Sequence, residues 1–98
     1  MTHVATFQGR AATEHLHTVK ASLETLAQES IAQPGTIRYE FYQAETDPQV
    51  IMLFAVWETE ADWRAHIASD AHERHVASLP AGAWAQSPTR VVWQELRA

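Results

Sequence analysis

The run His3 to Gln8, HVATFQ, alternates polar and β-forming positions and ends at Gly9, which predicts a first strand. The period then changes. Leu16, Val19, Leu23, Leu26 and Ile31 recur at three to five residues, so one apolar stripe runs along a helix from about Thr13 to Ile31. Glu14, Lys20, Glu24 and Glu29 lie mostly off that stripe. Gln33-Pro34-Gly35 ends the helix, because proline disfavours helical geometry in the residue before it and glycine accepts a turn. In the next run, TIRYEFYQAE, Ile37, Tyr39 and Phe41 share one face of a predicted strand and Arg38, Glu40 and Tyr42 the other. A polar hairpin connection, ETDPQ, leads to Val50 to Trp57, VIMLFAVW, which is apolar on both faces. A small sheet with helices on one side has one wet face, so a strand of this kind argues for burial against a second copy of the chain.

Two short helices are predicted next. Thr59 with Asp62, and Asp70 with Glu73, read as N-caps followed by an acidic first turn. Ser78 to Pro88, SLPAGAWAQSP, reads as a loop, and Thr89 to Arg97, TRVVWQELR, as a final strand. The order β-α-β-β-α-β is the ferredoxin-like split βαβ arrangement of the α+β class. Ninety-eight residues suit a single domain over 1–98, and one so small exposes much of its surface, which favours a homodimer.

Charge narrows the partners. Seven Lys and Arg against twelve Asp and Glu give a formal charge of -5, with no basic stripe to neutralise phosphates, so neither nucleic acid nor an acidic membrane surface is an expected partner. The absence of cysteine removes disulfides, thiolate nucleophiles and zinc-thiolate sites, and fits a reducing cytoplasm. The first fifteen residues lack a basic segment followed by an apolar one, and no apolar run reaches membrane-spanning length; a soluble cytoplasmic protein is expected. With Gly9, Gly35 and Gly82 the only glycines, neither a nucleophile elbow nor a phosphate-cradling loop is present, and no nucleotide cofactor is expected.

The candidate chemistry lies in WETEADWRAHIASDAHERHVASL, Trp57 to Leu79, which holds His66, His72 and His75. Their spacing is not that of a helical zinc motif, so no metal is expected. His66 lies three after Trp63 and beside Ile67, at the border of an apolar helix face. His72 and His75 precede Val76 and Leu79 by four and flank the core side of the next helix. A histidine tuned by its surroundings is the natural general base near neutral pH. His72 and His75 read equally as hydrogen-bonded structural residues, and Trp57 and Trp63 as core residues able to double as a pocket wall. His3, His15 and His17 have no constellation around them and read as surface.

The stretches PGTIRYEFYQAETDP and VWETEADWRAHIASDAHERH resemble the antibiotic biosynthesis monooxygenase family, in which a Pro-Gly-led strand, a strand-ending tryptophan, a helical Ala-His step, a Ser-containing break and a second histidine follow in that order. The resemblance implies a dimeric α/β barrel with a pocket between sheet and helices in each subunit. It also implies cofactor-independent oxidation of a phenolic, quinol or polyketide-type aromatic substrate by molecular oxygen. On this likeness Trp57 is the strand-ending tryptophan, His66 the catalytic histidine and His72 the second one. Substrate contacts are then expected from Trp57, Trp63, His72, Tyr39, Phe41 and Trp84, the last either closing the pocket or pinning its loop. One departure is Ala55, where the family often carries a carboxylate; Glu58 and Glu40 are the nearby replacements. The haem-degrading branch resembles itself in a first-strand asparagine, and this chain has none. The rival reading is a non-oxidative small-ligand-binding dimer or isomerase using His66 as a proton shuttle. A wall of three or more aromatics favours the oxygenase, and convergent charges the rival.

Overall fold

The computed structural model describes residues 2–96. Strand β1 (His3–Ala11) is followed by a 3-10 turn (Thr13–His15), helix α1 (Leu16–Ile31), strands β2 (Thr36–Gln43) and β3 (Val50–Trp57), helices α2 (Glu60–Ile67) and α3 (Asp70–Ser78), and strand β4 (Trp84–Trp93). The strands form one antiparallel sheet in the order β2-β3-β1-β4. This is the ferredoxin-like α+β fold. No helix among the described residues is long and apolar enough to cross a membrane.

Period-2 geometry on β3 sorts the sheet into two faces. Ile51, Leu53, Ala55 and Trp57 are buried towards the helices, with Tyr39 and Phe41 of β2 opposite Ala55 and Leu53, and Ala5 and Phe7 of β1 on their other side. Leu26 of α1 and Ala71 of α3 close over the Trp57 end, while Val19 and Leu23 of α1 close over Ile51, Ala11 and Ala83. Burying each such leucine contributes about 1.5–3 kcal/mol. Met52, Phe54 and Val56 point to the opposite face, beside Val4 and Thr6 of β1 and Tyr42 of β2. That face carries Tyr42, Val91 and Trp93 at 46%, 41% and 53% exposure.

Three local departures from the predicted elements have physical causes. β4 begins at Trp84, five residues before the predicted start, so Trp84 is not in a loop. The register moves from Arg10 opposite Gln86 to Gln8 opposite Thr89, which puts one extra residue into β4 around Pro88. A bulge is where a strand tolerates proline, and Gly9 makes room for it: a Cβ on Gly9 would meet Pro88 Cα and Cγ at 3.0 Å. The strand ends at Trp93, and Arg97 of the predicted strand lies outside the described residues. In β2, Thr36 opposes Trp57 and Arg38 opposes Val56, so a shift at Ile37 takes it out of the buried row and leaves it 47% exposed. Helix α1 starts at Leu16 because the His15 backbone, at φ -114° and ψ 3°, leaves the helical range and separates the helix from the 3-10 turn before it.

The two short helices are capped by hydroxyls. Thr59 Oγ1 accepts from the Asp62 amide, as predicted, whereas the cap of α3 is Ser69, whose Oγ accepts from the His72 amide, one residue before the predicted Asp70.

Candidate active site

β2, β3 and α2 bring Tyr39, Trp57 and His66 to one point. The His66 ring lies 5.0 Å from the Tyr39 ring and 5.4 Å from the Trp57 ring between centroids, and the three residues are 3%, 5% and 1% exposed for His66, Tyr39 and Trp57 in that order. His72, half-buried on α3, stands edge-on to His66 at 5.3 Å. Phe41 packs edge-on to Tyr39 and tilts against Phe7, so the aromatic wall continues along the sheet. Trp63 stands on the other side of Trp57, where His3 stacks on it at 4.6 Å and the Arg90 guanidinium lies 5.1 Å from its ring centre.

Burial sets the protonation states here. It lowers His66 from 6.5 to about 4, and a charged His72 nearby would push in the same direction, so His66 is an uncharged imidazole at neutral pH. His72 is lowered first by burial and then by Arg90, with Glu73 opposing. His75 is lowered by burial and by His72. The Tyr39 phenol is raised by burial, and the nearby Ser30 hydroxyl, short of hydrogen-bond geometry, offsets part of this. The charged groups stand at the rim: the Arg90 and Arg64 guanidinium groups lie 5.1 and 5.7 Å from the Trp63 ring centre, and Glu73 acts on His72.

His66 Nδ1 lies 2.9 Å from Gln33 Oε1, and Gln33 Nε2 lies 3.1 Å from Ser69 Oγ. This amide occupies the supporting position for which Glu40 and Glu58 were the expected carboxylates. Neither reaches it. Glu40 points to the opposite face of the sheet, opposite Phe54, where it accepts from Arg38 and Tyr42, and Glu58 is exposed beyond Trp57. Ala55, with no exposure, is core between Ala5 and Tyr39.

Other expectations are redistributed. Trp84 lies at the far end of the helix-facing side, edge-on to Phe7 at 6.3 Å within the Ile51 cluster, and the structure does not bring it to His66. His75 is held by Ser22 Oγ, 2.7 Å from its Nδ1, at the contact of α3 with α1. His3 is not a surface residue: its Nε2 is buried without a partner. Gln33, His3 and Arg90 carry no periodicity or spacing signal, because their contacts join residues far apart in the chain; Ser69 stands in the Ser-containing break, but its contact with Gln33 spans 36 positions. Among the described residues no three His, Cys, Asp or Glu side chains are grouped to hold a metal ion.

The sequence profile of the antibiotic biosynthesis monooxygenase family matches residues 1–78. The chain belongs to this family. Among curated proteins none matches it in sequence. Solved structures share the family's fold across nearly the whole chain. A Nitrosomonas europaea protein assigned to the antibiotic biosynthesis monooxygenases is 21% identical, with a TM-score of 0.90, over 97% of this chain and 90% of that one. A conserved protein from Methanosarcina mazei is 17% identical, with a TM-score of 0.90, over 98% and 94%. A Mycobacterium tuberculosis protein is 13% identical, with a TM-score of 0.89, over 100% and 98%. At these identities the likeness shows the fold alone, and within it Trp57, His66 and His72 of this chain converge on one side of the sheet.

Proposed function

We propose that this protein is a cofactor-independent monooxygenase that oxidises a hydroxylated aromatic substrate with molecular oxygen. The carrying observation is an uncharged histidine, His66, set among Tyr39, Trp57 and His72 in water-poor surroundings. Tyr39, Phe41, Trp57 and the imidazoles of His66 and His72, with Arg64 and Arg90 only on the outlying Trp63, favour a flat aromatic ligand over a small polar one, which would need two or three convergent charges. This supports the oxygenase reading over the isomerase.

Molecular oxygen reacts slowly with closed-shell organic molecules, so the substrate must become the reductant. His66 takes the proton of a ring hydroxyl, and the resulting electron-rich phenolate passes one electron to oxygen. The radical pair recombines at a ring carbon, and the imidazolium returns its proton to the peroxide. Loss of water then leaves a carbonyl: one oxygen atom stays on the ring, and the other departs with the hydroxyl hydrogen and the ring hydrogen. Burial opposes a lone imidazolium at His66, and the phenolate formed beside it is the counter-ion that offsets this in a dry site. His72 is the polar contact nearer solvent, and Trp57, Tyr39 and Phe41 form the wall, with Trp63 behind Trp57. Trp84, at the far end, would touch only a long, multi-ring substrate.

The same reading includes a homodimer. Val4, Met52, Phe54, Val56, Val91 and Trp93 form an apolar sheet face that a second copy would cover, closing two sheets into a barrel.

Oxygen uptake by the purified protein with a panel of dihydroxynaphthalenes tests the reaction. Uptake with quinone formation, reduced about 100-fold or more in His66→Ala, is expected. No uptake across the panel overturns the oxygenase, and an unchanged rate in the variant overturns the role of His66.

A further inference from the structure

We infer that Gln33 is the positioning residue of the site: it fixes His66 as the tautomer with the proton on Nδ1 and leaves Nε2 as the bare, basic nitrogen. The argument is one of counting donors and acceptors around Ser69. Its hydroxyl has one proton and two lone pairs. The proton must go to the His66 carbonyl oxygen, 2.6 Å away, because a carbonyl only accepts. The His72 amide N–H, which only donates, takes one lone pair at 3.3 Å. The remaining contact is the Gln33 side-chain amide at 3.1 Å, and only its NH2 group completes the set. Reversing the amide would put its oxygen against a hydroxyl whose proton is already committed. The Gln33 oxygen therefore faces His66 Nδ1 at 2.9 Å, and an acceptor oxygen there requires a proton on that nitrogen.

The arrangement ties three elements together. Gln33 sits in the turn after α1, His66 lies in the last turn of α2 and Ser69 caps α3, so the break between the two short helices is also what orients the ring. A neutral amide in place of a carboxylate accepts the Nδ1 proton without stabilising the charged imidazolium, which is consistent with a ring that stays uncharged in this surrounding. A second closed loop of the same sense holds His75: its Nδ1 lies 2.7 Å from Ser22 Oγ, Ser22 Oγ lies 2.8 Å from Ser78 Oγ, and Ser78 Oγ donates to the His75 carbonyl at 2.7 Å. By the same count His75 also carries its proton on Nδ1, so Ser22 accepts from the ring and is not activated by it.

The catalytic meaning of this tautomer rests on the oxygenase reading; the tautomer itself does not. Nitrogen-15 NMR of the histidine side chains at neutral pH reads it directly. Wild-type His66 is expected to show a protonated Nδ1 and an unprotonated Nε2. In Gln33→Leu, the His66 signals should move towards the Nε2–H form that free imidazole prefers, while His75 responds only to Ser22→Ala. Should Gln33→Leu not fold, Ser69→Ala, which frees the amide to turn over, serves the same purpose. A protonated Nε2 in the wild type, or a tautomer unmoved by either variant, overturns the inference. With an active substrate in hand, Gln33→Leu should lower kcat about tenfold or more with KM within about twofold. An unchanged kcat despite a switched tautomer overturns the positioning role. A wild type that consumes no oxygen but shows the expected signals defeats only the oxygenase.

Discussion

The Trp57 indole and the His66 imidazole lie 5.4 Å apart at 41°, each at most 3% exposed, and the indole Nε1 has no hydrogen-bond partner. A charged imidazole there would lose its hydration and face repulsion from a charged His72. Protonation of His66 is thus opposed by the fold itself, which couples site and stability.

The coupling predicts how stability depends on pH. His66 titrates at about 4 in the folded chain and near 6.5 when unfolded. Between those values the unfolded chain binds a proton that the folded chain refuses, so stability falls as pH drops from about 6.5 to about 4 and this contribution flattens below. His66 alone should account for a loss on the order of 2 kcal/mol. His72 and His75, both lowered by burial, act in the same direction. Urea denaturation at about pH 7.5 and about pH 5 measures it, and His66→Phe should shrink the difference. Equal stability at the two pH values would refute the linkage.

The turn that carries Gln33 depends on Gly35. Its φ is +79°, and a Cβ there would collide with the Asp62 carboxylate at the start of α2. Gly35→Ala should therefore cost about 2 kcal/mol or more, since both backbone strain and the clash contribute. Gly82, at φ +76° with open space around it, has only the strain, and Gly82→Ala should cost about 1 kcal/mol. Chemical denaturation of the two variants gives the comparison; equal losses would remove Asp62 from the explanation.

Phe54 sits in the middle of the apolar sheet face, with the Arg38 guanidinium 4.5 Å from its ring centre. A stable interface buries about 1,200–2,000 Å² in total, and a carboxylate introduced at position 54 would be desolvated at its centre directly opposite the like charge of Glu40. The wild type should sediment at twice the chain mass of 11.0 kDa, and Phe54→Glu at the single-chain mass with its far-ultraviolet dichroism retained. A wild type at single-chain mass would dispose of the dimer.

The elements of the fold were legible because each rests on local chemistry. The alternation in β1 and β2, the three-to-four spacing of Val19, Leu23 and Leu26, and the Thr59 cap all act within a few residues of themselves. The misread strand start at Trp84 had a non-local cause, since Pro88 sits in a bulge for which Gly9, on a different strand, leaves room. The candidate site divides in the same way. Composition, helical position and family likeness singled out His66 and His72, while the group that supports His66 is Gln33, thirty-three positions away. By itself the sequence determined the elements and most of their buried positions, because periodicity is a property of neighbours along the chain, although Ile31 and Ile37 of the expected apolar rows are 49% and 47% exposed. Only the tertiary structure decided that Glu40 faces away, that Trp84 lies far from the histidines and that an amide holds the ring. Hydrogen bonds and ring contacts are short-ranged in space, and which distant residues come within that range is settled by packing.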